Sequence, residues 1–470
     1  MVIAPAARRS SPRIARTPSN QKLYRRRARV SDLLGIALWL SSAMAVGLFL
    51  VSGGVARLGT PSDIVTSLGI VTGLVGTNFV LAMLILAARI PMIDRAIGHD
   101  RAITVHRALG QPAFYLLVAH GLLLLVGYSM GSGITVIAEI GPMLGIPDIP
   151  LAIGGLALMA AVIVSSLVAL RRRFSYETWH LIHLLSYFAV AASIPHQLSI
   201  GSVFSPASLE RIYWVTLYVL AFGAIFLYRF VEPLVSSIRH RLRVERIQQE
   251  APGVVSLHLR GRKLRSLDSA GGQFFIWRFW TPRTWWHSHP ISLSSVPTET
   301  ALRITVRDLG CGSRSISSVP RGTAVWFEGP YGIFTDAGRT APKLAIAVAG
   351  IGITPIRALL EGSELKPGEA SILLRASTTD DTFLWGEILE LASKKGITVT
   401  RMIGSRAHSG PGWMTQQAAD AATTIGSLFP DLKDSDLYLC GPTPWLDLVE
   451  ADARAAGLAD HQVHAERFDW

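Results

Sequence analysis

Four histidines lie in otherwise apolar, membrane-length stretches of this chain and fall into two pairs, His106 with His120 and His183 with His196. A metal-binding or ionisable side chain inside a bilayer segment is costly, so it indicates a function by default. The 470-residue chain is 50% hydrophobic and only 17% charged, with a mean hydropathy of +0.37. These values are typical of a membrane protein that also has a sizeable soluble part.

Uncharged apolar runs in the first half of the chain predict a bundle of six membrane-spanning helices over residues 32–232. Their lengths bracket the roughly 20 residues that a spanning helix needs. The last run is the shortest, but its aromatic residues suit a helix with interfacial ends. The runs cover residues 33–56, 64–88, 108–138, 149–170, 178–209 and 212–228.

The distribution of positive charge predicts the orientation in the cell membrane. Residues 1–31 hold nine Lys or Arg and no acidic residue, which indicates a disordered basic arm that is either a solvated tail or a lipid-binding segment. By the positive-inside rule this arm and the whole C-terminal half are cytoplasmic. The net charge of +12 largely reflects this asymmetry, so it does not indicate nucleic-acid binding. The loop arginines on the side of the arm are Arg89, Arg95, Arg101, Arg107 and Arg171 to Arg173, whereas the opposite loops hold only Arg57 and Arg211.

The histidine spacing predicts two metal sites at different depths. The 14-residue step from His106 to His120 gives a rise of roughly 21 Å with a rotation about 40° short of full turns, so both rings share a face. The 13-residue step from His183 to His196 leaves the second ring roughly 140° off in an ideal helix, which a kink at Pro195 could correct. Pairing His106 with His183 and His120 with His196 across the third and fifth spans forms two stacked bis-imidazole sites, which suit haem iron used for electron transfer.

Other interpretations of single histidines stay open. One such residue can bond to a neighbouring helix or belong to a proton path. His180, one turn before His183, could replace a ligand, contact a haem propionate or lie at the interface beside Trp179. Zinc is disfavoured because no Cys or carboxylate joins the set within the spans. The only two cysteines, Cys311 and Cys440, give no case for a disulfide framework or a Cys-based metal site.

The second half of the chain has the pattern of a soluble two-domain module. Short alternating runs at 254–260 and 302–310 predict an antiparallel β-barrel, which we assign to residues 238–338. Strand-like and helical runs then alternate, which predicts an α/β nucleotide-binding domain with a parallel sheet over residues 339–470.

Seven short motifs occur in this half in a fixed order. They are GGQF at 271–274, HPISLSS at 289–295, RDLGCGS at 307–313, EGPYG at 328–332, AGIGITP at 349–355, CGP at 440–442 and ERFDW at 466–470. In this order they resemble a ferredoxin-NADP reductase-type FAD- and NAD(P)-binding module. Together with the histidine spans, residues 33–470 resemble the ferric reductase and NADPH oxidase superfamily, in which a ferric reductase-like transmembrane domain is fused to such a module.

The resemblance implies an FAD site on the predicted barrel. Ser292 is expected near flavin N5 and His289 near the FAD phosphates. Arg307 supplies charge to the pyrophosphate, the loop glycines let backbone N–H groups approach, and Ser313 donates a hydroxyl. The implied contacts are His289, Pro290, Ser292, Ser294, Arg307, Gly310, Gly312 and Ser313.

The resemblance also implies a nicotinamide nucleotide site. Arg406 and Arg375 are expected at the 2′-phosphate, which favours NADPH, although Asp380 and Asp381 nearby leave NADH open. Cys440 is expected where the nicotinamide meets the flavin, and Trp470 is expected to stack on the flavin and move aside for hydride transfer. The implied catalytic residues are Ser292, Cys440 and Trp470. The other implied contacts are Gly350, Gly352, Thr354, Pro355, Gly441, Pro442, Glu466 and Phe468.

The implied function is a transmembrane oxidoreductase with FAD and two b-type haems. Electrons are expected to pass from cytoplasmic NADPH to FAD, to an inner haem at His106 and His183, to an outer haem at His120 and His196, and then to an external acceptor. Dioxygen giving superoxide, a ferric chelate and a periplasmic redox protein all stay open as acceptors. The alternatives are a membrane subunit that supplies electrons to a periplasmic protein and, much less favoured, a nucleotide-gated transporter, which would hold no haem.

Overall fold

The computed structural model describes residues 18–167, 173, 176–199, 208–408 and 410–468. The chain divides into two compact units: one covers Ala28–Glu232, and the other covers Pro233–Trp470 together with the segment that ends at Arg27. We call them the membrane unit and the reductase unit and describe each by itself.

The membrane unit is helical. Within the described residues, six helices are long and apolar enough to cross a bilayer, so the protein is a multi-pass membrane protein. These candidate spans are Arg25–Arg57, Pro61–Ala87, His99–Ser132, Ile149–Ser166, Thr178–Ser199 and Leu209–His240. The helices are α1 (Pro18–Phe49), α2 (Pro61–Ala87), α3 (Pro91–Ile97), α4 (His99–Ser132), α5 (Val136–Leu144), α6 (Ile149–Ser166), α7 (Tyr176–Ser199) and α8 (Leu209–Phe226).

The N-terminal arm differs from the expectation. We predicted a disordered segment over residues 1–31, but α1 already begins at Pro18. The stretch that follows is rich in Gln, Lys, Leu, Arg and Ala, which are good helix formers, so the helix extends beyond its apolar part. Residues 1–17 lie outside the described residues.

A buried polar cluster joins α1, α2 and α8. The amide nitrogen of Asn78 donates to the hydroxyls of Ser41 and Tyr213 at 2.8 and 2.9 Å, and the Tyr213 hydroxyl donates to the Ser41 carbonyl at 2.7 Å. Polar groups inside a bilayer must find protein partners, so these contacts fix three helices against one another.

The reductase unit begins with α9 (Glu232–His240) and an antiparallel part. Its strands form two three-stranded sheets, β1-β2-β5 and β4-β3-β6, over one shared hydrophobic core. In the described residues the two sheets are joined at Arg243 with Ala324 and at Leu293 with Ile304 by isolated bridges and not by continuous ladders, so the sheets are not closed as a barrel. The closed barrel stays a prediction. The elements are β1 (Arg243–Ala251), β2 (Val254–Arg260), β3 (Phe274–Phe279), β4 (His289–Ser292), β5 (Ala301–Arg307), α10 (Cys311–Ser317) and β6 (Val325–Tyr331).

The rest of the unit is a parallel sheet of five strands in the order β11-β10-β7-β8-β9. Its inner strands are almost wholly buried, as expected where helices cover both faces of a sheet. Ligands of such sheets bind at the carboxyl ends of the strands. The elements are β7 (Lys343–Ala349), α11 (Ile353–Gly362), β8 (Ala370–Ala376), α12 (Trp385–Lys395), β9 (Thr398–Ile403), α13 (Gln416–Asp420), α14 (Ile425–Leu428), β10 (Ser435–Gly441), α15 (Thr443–Ala455) and β11 (Val463–Arg467).

Candidate functional site

The inner histidine pair is brought together across two helices. His106 lies on α4 and His183 on α7, and their ring centroids are 6.1 Å apart. Two imidazoles on opposite sides of one metal ion, with nitrogen–metal bonds of about 2.0 Å and roughly 1 Å from each nitrogen to its ring centre, would have centroids about 6 Å apart. The separation of these rings therefore fits a single metal ion between them.

Carbonyl groups of α2 orient both histidines of α4. Nδ1 of His106 donates to the carbonyl of Met83 at 3.2 Å, and Nδ1 of His120 donates to the carbonyl of Gly69 at 2.8 Å. A carbonyl can only accept, so the proton of each neutral ring is on Nδ1 and Nε2 keeps its lone pair. This is the second-sphere arrangement that prepares a histidine to bind a metal.

Glycines on α2 make room for this contact. A Cβ atom at Gly73 would lie only 2.4 Å from Nδ1 of His120. Cβ atoms at Gly69 and Gly76 would lie 3.1 Å from atoms of Leu123 and Leu117 on α4. Small residues at a helix interface let two backbones approach closely, and here they place the α2 carbonyls within reach of the imidazoles.

The outer pair, His120 on α4 and His196 on α7, lines one cavity of about 440 Å³. This volume lies within the range of roughly 300–1,000 Å³ that is usual for ligand and cofactor sites. In an ideal helix, the 13-residue step from His183 would turn His196 away from His120, but both residues line this cavity. Pro195, directly before His196, lies inside α7. Most of the lining is apolar; Arg57, Tyr128 and Gln197 are polar exceptions.

His183 has an aromatic neighbour and an unsatisfied nitrogen. Its ring stacks on Trp179 with centroids 5.1 Å apart, and its buried Nδ1 has no hydrogen-bond partner among the described residues. His180 is half-buried and has interactions of its own, so its role stays a prediction. No group of three or more metal-ligating side chains occurs in the described part of the chain. Paired imidazoles beside an apolar cavity are a donor set that fits haem iron better than zinc.

Sequence reasoning missed His99, seven residues before His106 on the same helix. Its buried Nδ1 lies 3.5 Å from Oδ1 of the buried Asp94. Seven residues are close to two full turns, so His99 shares a face of α4 with His106. The repeated spacing from 99 to 106 and on to 120 is the signal that could have found it.

Ser292, expected near flavin N5, ends strand β4. Its hydroxyl is buried and has no hydrogen-bond partner among the residues described. A buried hydroxyl without a partner costs free energy, which a ligand acceptor or donor would recover. Pro290 and His289 precede it on the same strand, and a Cβ at Gly312 would lie 3.5 Å from the His289 ring. The two predicted parts of the FAD site are therefore adjacent.

The predicted pyrophosphate loop is held by its own polar groups. Ser313 Oγ accepts from the backbone N–H of Leu309 at 2.7 Å and donates to the carbonyl of Gly310 at 3.1 Å. Gly310 has a φ of 149°, which favours glycine. Arg307 forms an ion pair of 2.8 Å with Asp381. These contacts shape the loop. The ion pair also holds the Arg307 guanidinium beside Asp381 of the nucleotide-binding domain.

Ser294 belongs to a polar network between the two halves of the unit. Its hydroxyl accepts from Arg303 at 3.1 Å, and Arg303 forms two hydrogen bonds of 2.8 and 2.9 Å with Glu387 on α12. Burial opposes ionisation of Glu387, but the bonds from Arg303 and Arg357 outweigh it and lower its pKa. Ser294 was predicted to contact FAD; the structure shows it bonded to Arg303 and Thr305.

The two predicted nicotinamide loops lie against each other. A Cβ at Gly352 would lie 2.4 Å from the carbonyl oxygen of Cys440, so only glycine fits this approach. Gly350 has a φ of 56°, and Thr354 and Pro355 follow in the first turn of α11. A helix N-terminus after a Gly-rich turn is suited to a pyrophosphate. Gly441 and Pro442 form the second loop, directly after β10.

Cys440 is fully buried, and Glu466 pairs with it in register on β11. Burial, and next the charge of Glu466, raise the pKa of the Cys440 thiol well above its usual range, so it stays neutral. Phe468 packs against the core that contains Cys440. Trp470 lies outside the described residues, and its stacking on the flavin stays a prediction.

Arg375 and Arg406 are close enough to repel each other at the ends of β8 and β9. Arg375 is 4% exposed, and its Nε and Nη2 atoms have no partner in the part of the chain described. Burial, and next the charge of Arg406, lower the pKa of the Arg375 guanidinium. Asp381 pairs with Arg307, whereas Asp380 is exposed. Neither Arg375 nor Arg406 has an acidic partner among the described residues. Two such guanidinium groups suit a phosphate.

Comparison with known proteins gives matches in both units. Residues 72–194 match the family described as ferric reductase like transmembrane component. Ferredoxin-NADP reductase B of Sorangium cellulosum is 30% identical over 179 residues, which are 36% of this chain and 71% of that protein. The ferredoxin reductase component of 3-ketosteroid-9-alpha-monooxygenase from Mycolicibacterium smegmatis is 30% identical over 204 residues, 42% of this chain. This chain spans only 55% of the length of that relative.

Among solved structures, the FAD/NAD binding domain of nitric oxide dioxygenase from Vibrio cholerae matches 49% of this chain and 99% of its own, with 22% identity and a TM-score of 0.40. The sequence matches and the six apolar helices define a membrane-embedded electron-transfer oxidoreductase with flavin- and nicotinamide-nucleotide-binding domains. The chain therefore combines a ferric reductase-like transmembrane domain with a ferredoxin-NADP reductase-type module, which matches the fused architecture of the ferric reductase and NADPH oxidase superfamily.

Proposed function

We propose that this protein passes electrons from cytoplasmic NAD(P)H, by way of FAD and two bis-histidine b-type haems, to an acceptor on the opposite side of the membrane. The observation that carries the proposal is the 6.1 Å separation of the His106 and His183 rings, together with the Met83 carbonyl that leaves Nε2 of His106 as the ligand atom. Packed aromatic rings also have centroids roughly 4.5–7 Å apart, so the ring separation supports the proposal only together with the hydrogen bond that orients His106.

The four histidines would hold the haem irons, His106 with His183 at the inner site and His120 with His196 at the outer one. Ser292, His289 and the loop from Arg307 to Ser313 would hold FAD. When bound, FAD takes a hydride and releases single electrons, and bis-histidine haem iron carries one electron at a time. The protein contributes position: the α2 carbonyls fix the imidazoles, and the apolar lining of the 440 Å³ cavity keeps water away.

NADPH is the proposed donor. Its 2′-phosphate would bind Arg375 and Arg406, and the buried Arg375 gains most because its Nε and Nη2 atoms otherwise lack partners among the described side chains. Its pyrophosphate would lie at Gly350, Gly352 and the first turn of α11. Cys440 would stand beside the nicotinamide as a neutral thiol, which avoids placing a negative charge next to the departing hydride.

The terminal acceptor is proposed as dioxygen or a ferric chelate, with a periplasmic redox protein as the alternative. The cytoplasmic placement of the reductase unit rests on the charge asymmetry of the loops. A membrane electron-donor subunit would have the same cofactors but little turnover with small acceptors until its partner is added.

Sealed proteoliposomes test direction and acceptor together. The full chain is reconstituted with haem and FAD, NADPH is added outside, and ferric citrate or a superoxide-sensitive dye is trapped inside. Vesicles whose reductase unit faces outward should reduce the trapped acceptor. A His120→Ala variant, which lacks an outer ligand, should not. Fast reduction of external acceptor with none inside would contradict transfer across the membrane, and slow reduction of every small acceptor would favour the electron-donor alternative.

A further inference from the structure

Four tryptophans form a surface patch on the antiparallel part of the reductase unit. Trp280, Trp285 and Trp286 are 43%, 52% and 48% exposed, which is unusual for such large apolar side chains. The Trp280 ring lies 6.3 Å from Trp285 and 4.7 Å from Trp326, measured between centroids. We call these four residues the tryptophan patch.

The loop that carries the patch is ordered by its own hydrogen bonds. The buried Thr284 hydroxyl donates to the carbonyl of Phe279 at 2.7 Å, and the N–H groups of Thr284 and Trp285 both donate to the carbonyl of Thr281 at 3.1 Å. The N–H of His287 closes the turn on the Thr284 carbonyl. The rings are therefore presented by a fixed turn, which lowers the entropy cost of using them for binding.

The patch lies at the end of the unit where the chain leaves the last apolar helix. Leu242, two residues after α9, accepts from the N–H of Val325, and the neighbouring Ala324 accepts from the N–H of Trp280 at 3.0 Å. Each of these hydrogen bonds spans one strand spacing of about 4.8 Å, so Trp280 lies about 10 Å from the junction of α9 and β1. Leu234, Val235 and Ile238 on α9 are also exposed, so apolar surface occurs on both sides of this junction.

The charged residues in the segments that form the patch are all basic, and the nearby Glu245 and Glu328 are paired with Arg260 and Arg278. The three segments that build this end are residues 233–244, 280–288 and 320–326, and none contains Asp or Glu. They contain five exposed arginines, Arg239, Arg241, Arg243, Arg283 and Arg321. Tryptophan prefers the headgroup region of a bilayer, and arginine is attracted to anionic lipid on the cytoplasmic leaflet.

We propose that the tryptophan patch and its arginines bind anionic phospholipid headgroups of the same membrane that the helices span. The patch would thus be a second, peripheral attachment of the reductase unit, separate from the covalent connection through α9. Because one end of the unit is already attached to a span, the patch needs little affinity of its own to stay bound.

Photolabelling in nanodiscs tests this directly. The full chain is reconstituted with a phospholipid that carries a photoactivatable diazirine near its headgroup, with or without phosphatidylglycerol, and labelled peptides are identified by mass spectrometry. We expect labelling of residues 280–287 that approaches that of α9 and rises with phosphatidylglycerol. Leu448, which is 41% exposed on α15, provides an apolar comparison on the nucleotide-binding domain and should stay unlabelled.

Variants of exposed residues sharpen the result without disturbing the core. Arg283→Glu should reduce labelling of the loop about fivefold or more, since each basic side chain near an anionic surface contributes a factor of that order. Trp285→Ser should also reduce it, whereas Leu448→Ser should not. If α9 is labelled but residues 280–287 are labelled no more than Leu448, the proposal is overturned. Crosslinks from the loop to a second copy of the chain, with no lipid adduct, would overturn it in favour of a protein contact.

Discussion

The residues that are predicted to bind cofactors differ in their hydrogen-bond partners between the membrane unit and the reductase unit. In the membrane unit, Nδ1 of His106 and of His120 bonds to a carbonyl of α2, which leaves Nε2 of each ring available to a metal ion. In the reductase unit, many predicted cofactor contacts bond to protein groups: Arg307 to Asp381, Ser294 to Arg303 and Ser313 to Gly310. Ser292 and Arg375 are the exceptions, because both keep buried polar atoms without partners among the described residues.

The difference follows from the surroundings of each unit. A bilayer offers no water, so a polar ring there is either bonded to protein or reserved for a ligand. A soluble loop can satisfy its polar groups with its neighbours, so a motif residue there can shape the loop as well as contact a ligand.

Removing an inner histidine should have the largest effect. His106→Ala or His183→Ala leaves one imidazole where two are needed, so haem content should fall from two per chain to about one, with nearly complete loss of NADPH-driven haem reduction. The pyridine haemochrome assay and anaerobic spectra measure both. His180→Ala, one turn away, is the matched control and should keep two haems; loss of one haem there would instead make His180 a ligand.

A single methyl group on α2 should disrupt the outer site. In Gly73→Ala the new Cβ would meet Nδ1 of His120 at 2.4 Å, so the ring must move and the Gly69 bond must break. We expect loss or a high-spin signal of the outer haem by electron paramagnetic resonance. Gly131→Ala, on the same helix α4 but outside the cavity lining and with only an ordinary contact to Ser62 at 3.8 Å, should leave the spectrum unchanged. Equal effects of the two substitutions would show that helix stability, not ring position, is being measured.

Arg375 and Arg406 should separate NADPH from NADH. Loss of one charge-assisted hydrogen bond to phosphate should raise the KM for NADPH about 10- to 100-fold, with little change for NADH. Arg406→Gln is the cleaner test because Arg406 is exposed, whereas Arg375→Gln also changes a buried site. Steady-state rates with both donors provide the measurement. A parallel rise in both KM values would contradict binding of the 2′-phosphate.

Substitutions of Ser292 and Ser294, two of the three serines of the HPISLSS motif, should have the smallest effects. Ser292→Ala removes a hydroxyl that has no described partner, so it should leave thermal stability unchanged while slowing flavin reduction about tenfold. Ser294→Ala should lower thermal stability, because Arg303 and Thr305 lose their acceptor. Stopped-flow flavin absorbance and thermal denaturation separate the two outcomes. A stability loss in Ser292→Ala without a kinetic effect would remove Ser292 from the flavin site.

The sequence predicts the helical part best. Six apolar runs correspond to six candidate spans, because run length and the lack of charge are set directly by the bilayer. Matching the third and fifth spans pairs His106 with His183, and the ring centroids of these two residues are 6.1 Å apart. The start of α1 at Pro18 was missed because high charge was taken as a sign of disorder, although the residues themselves favour helix.

Long-range contacts of the reductase unit were harder to predict. The Arg303–Glu387 pair joins residues 84 positions apart, and no local pattern indicates it. Closure of a barrel depends on pairing between distant strand ends, which hydrophobic alternation does not specify. The bond between His120 and Gly69 likewise depends on a glycine whose importance is visible only once the two helices are packed.

The decisive measurement is the visible spectrum of the detergent-purified protein under anaerobic conditions, recorded before and after NADPH. We expect NADPH alone to produce the sharp reduced bands of six-coordinate b-type haem, to the same extent as chemical reductant. A haem-replete preparation without haem bands would contradict it.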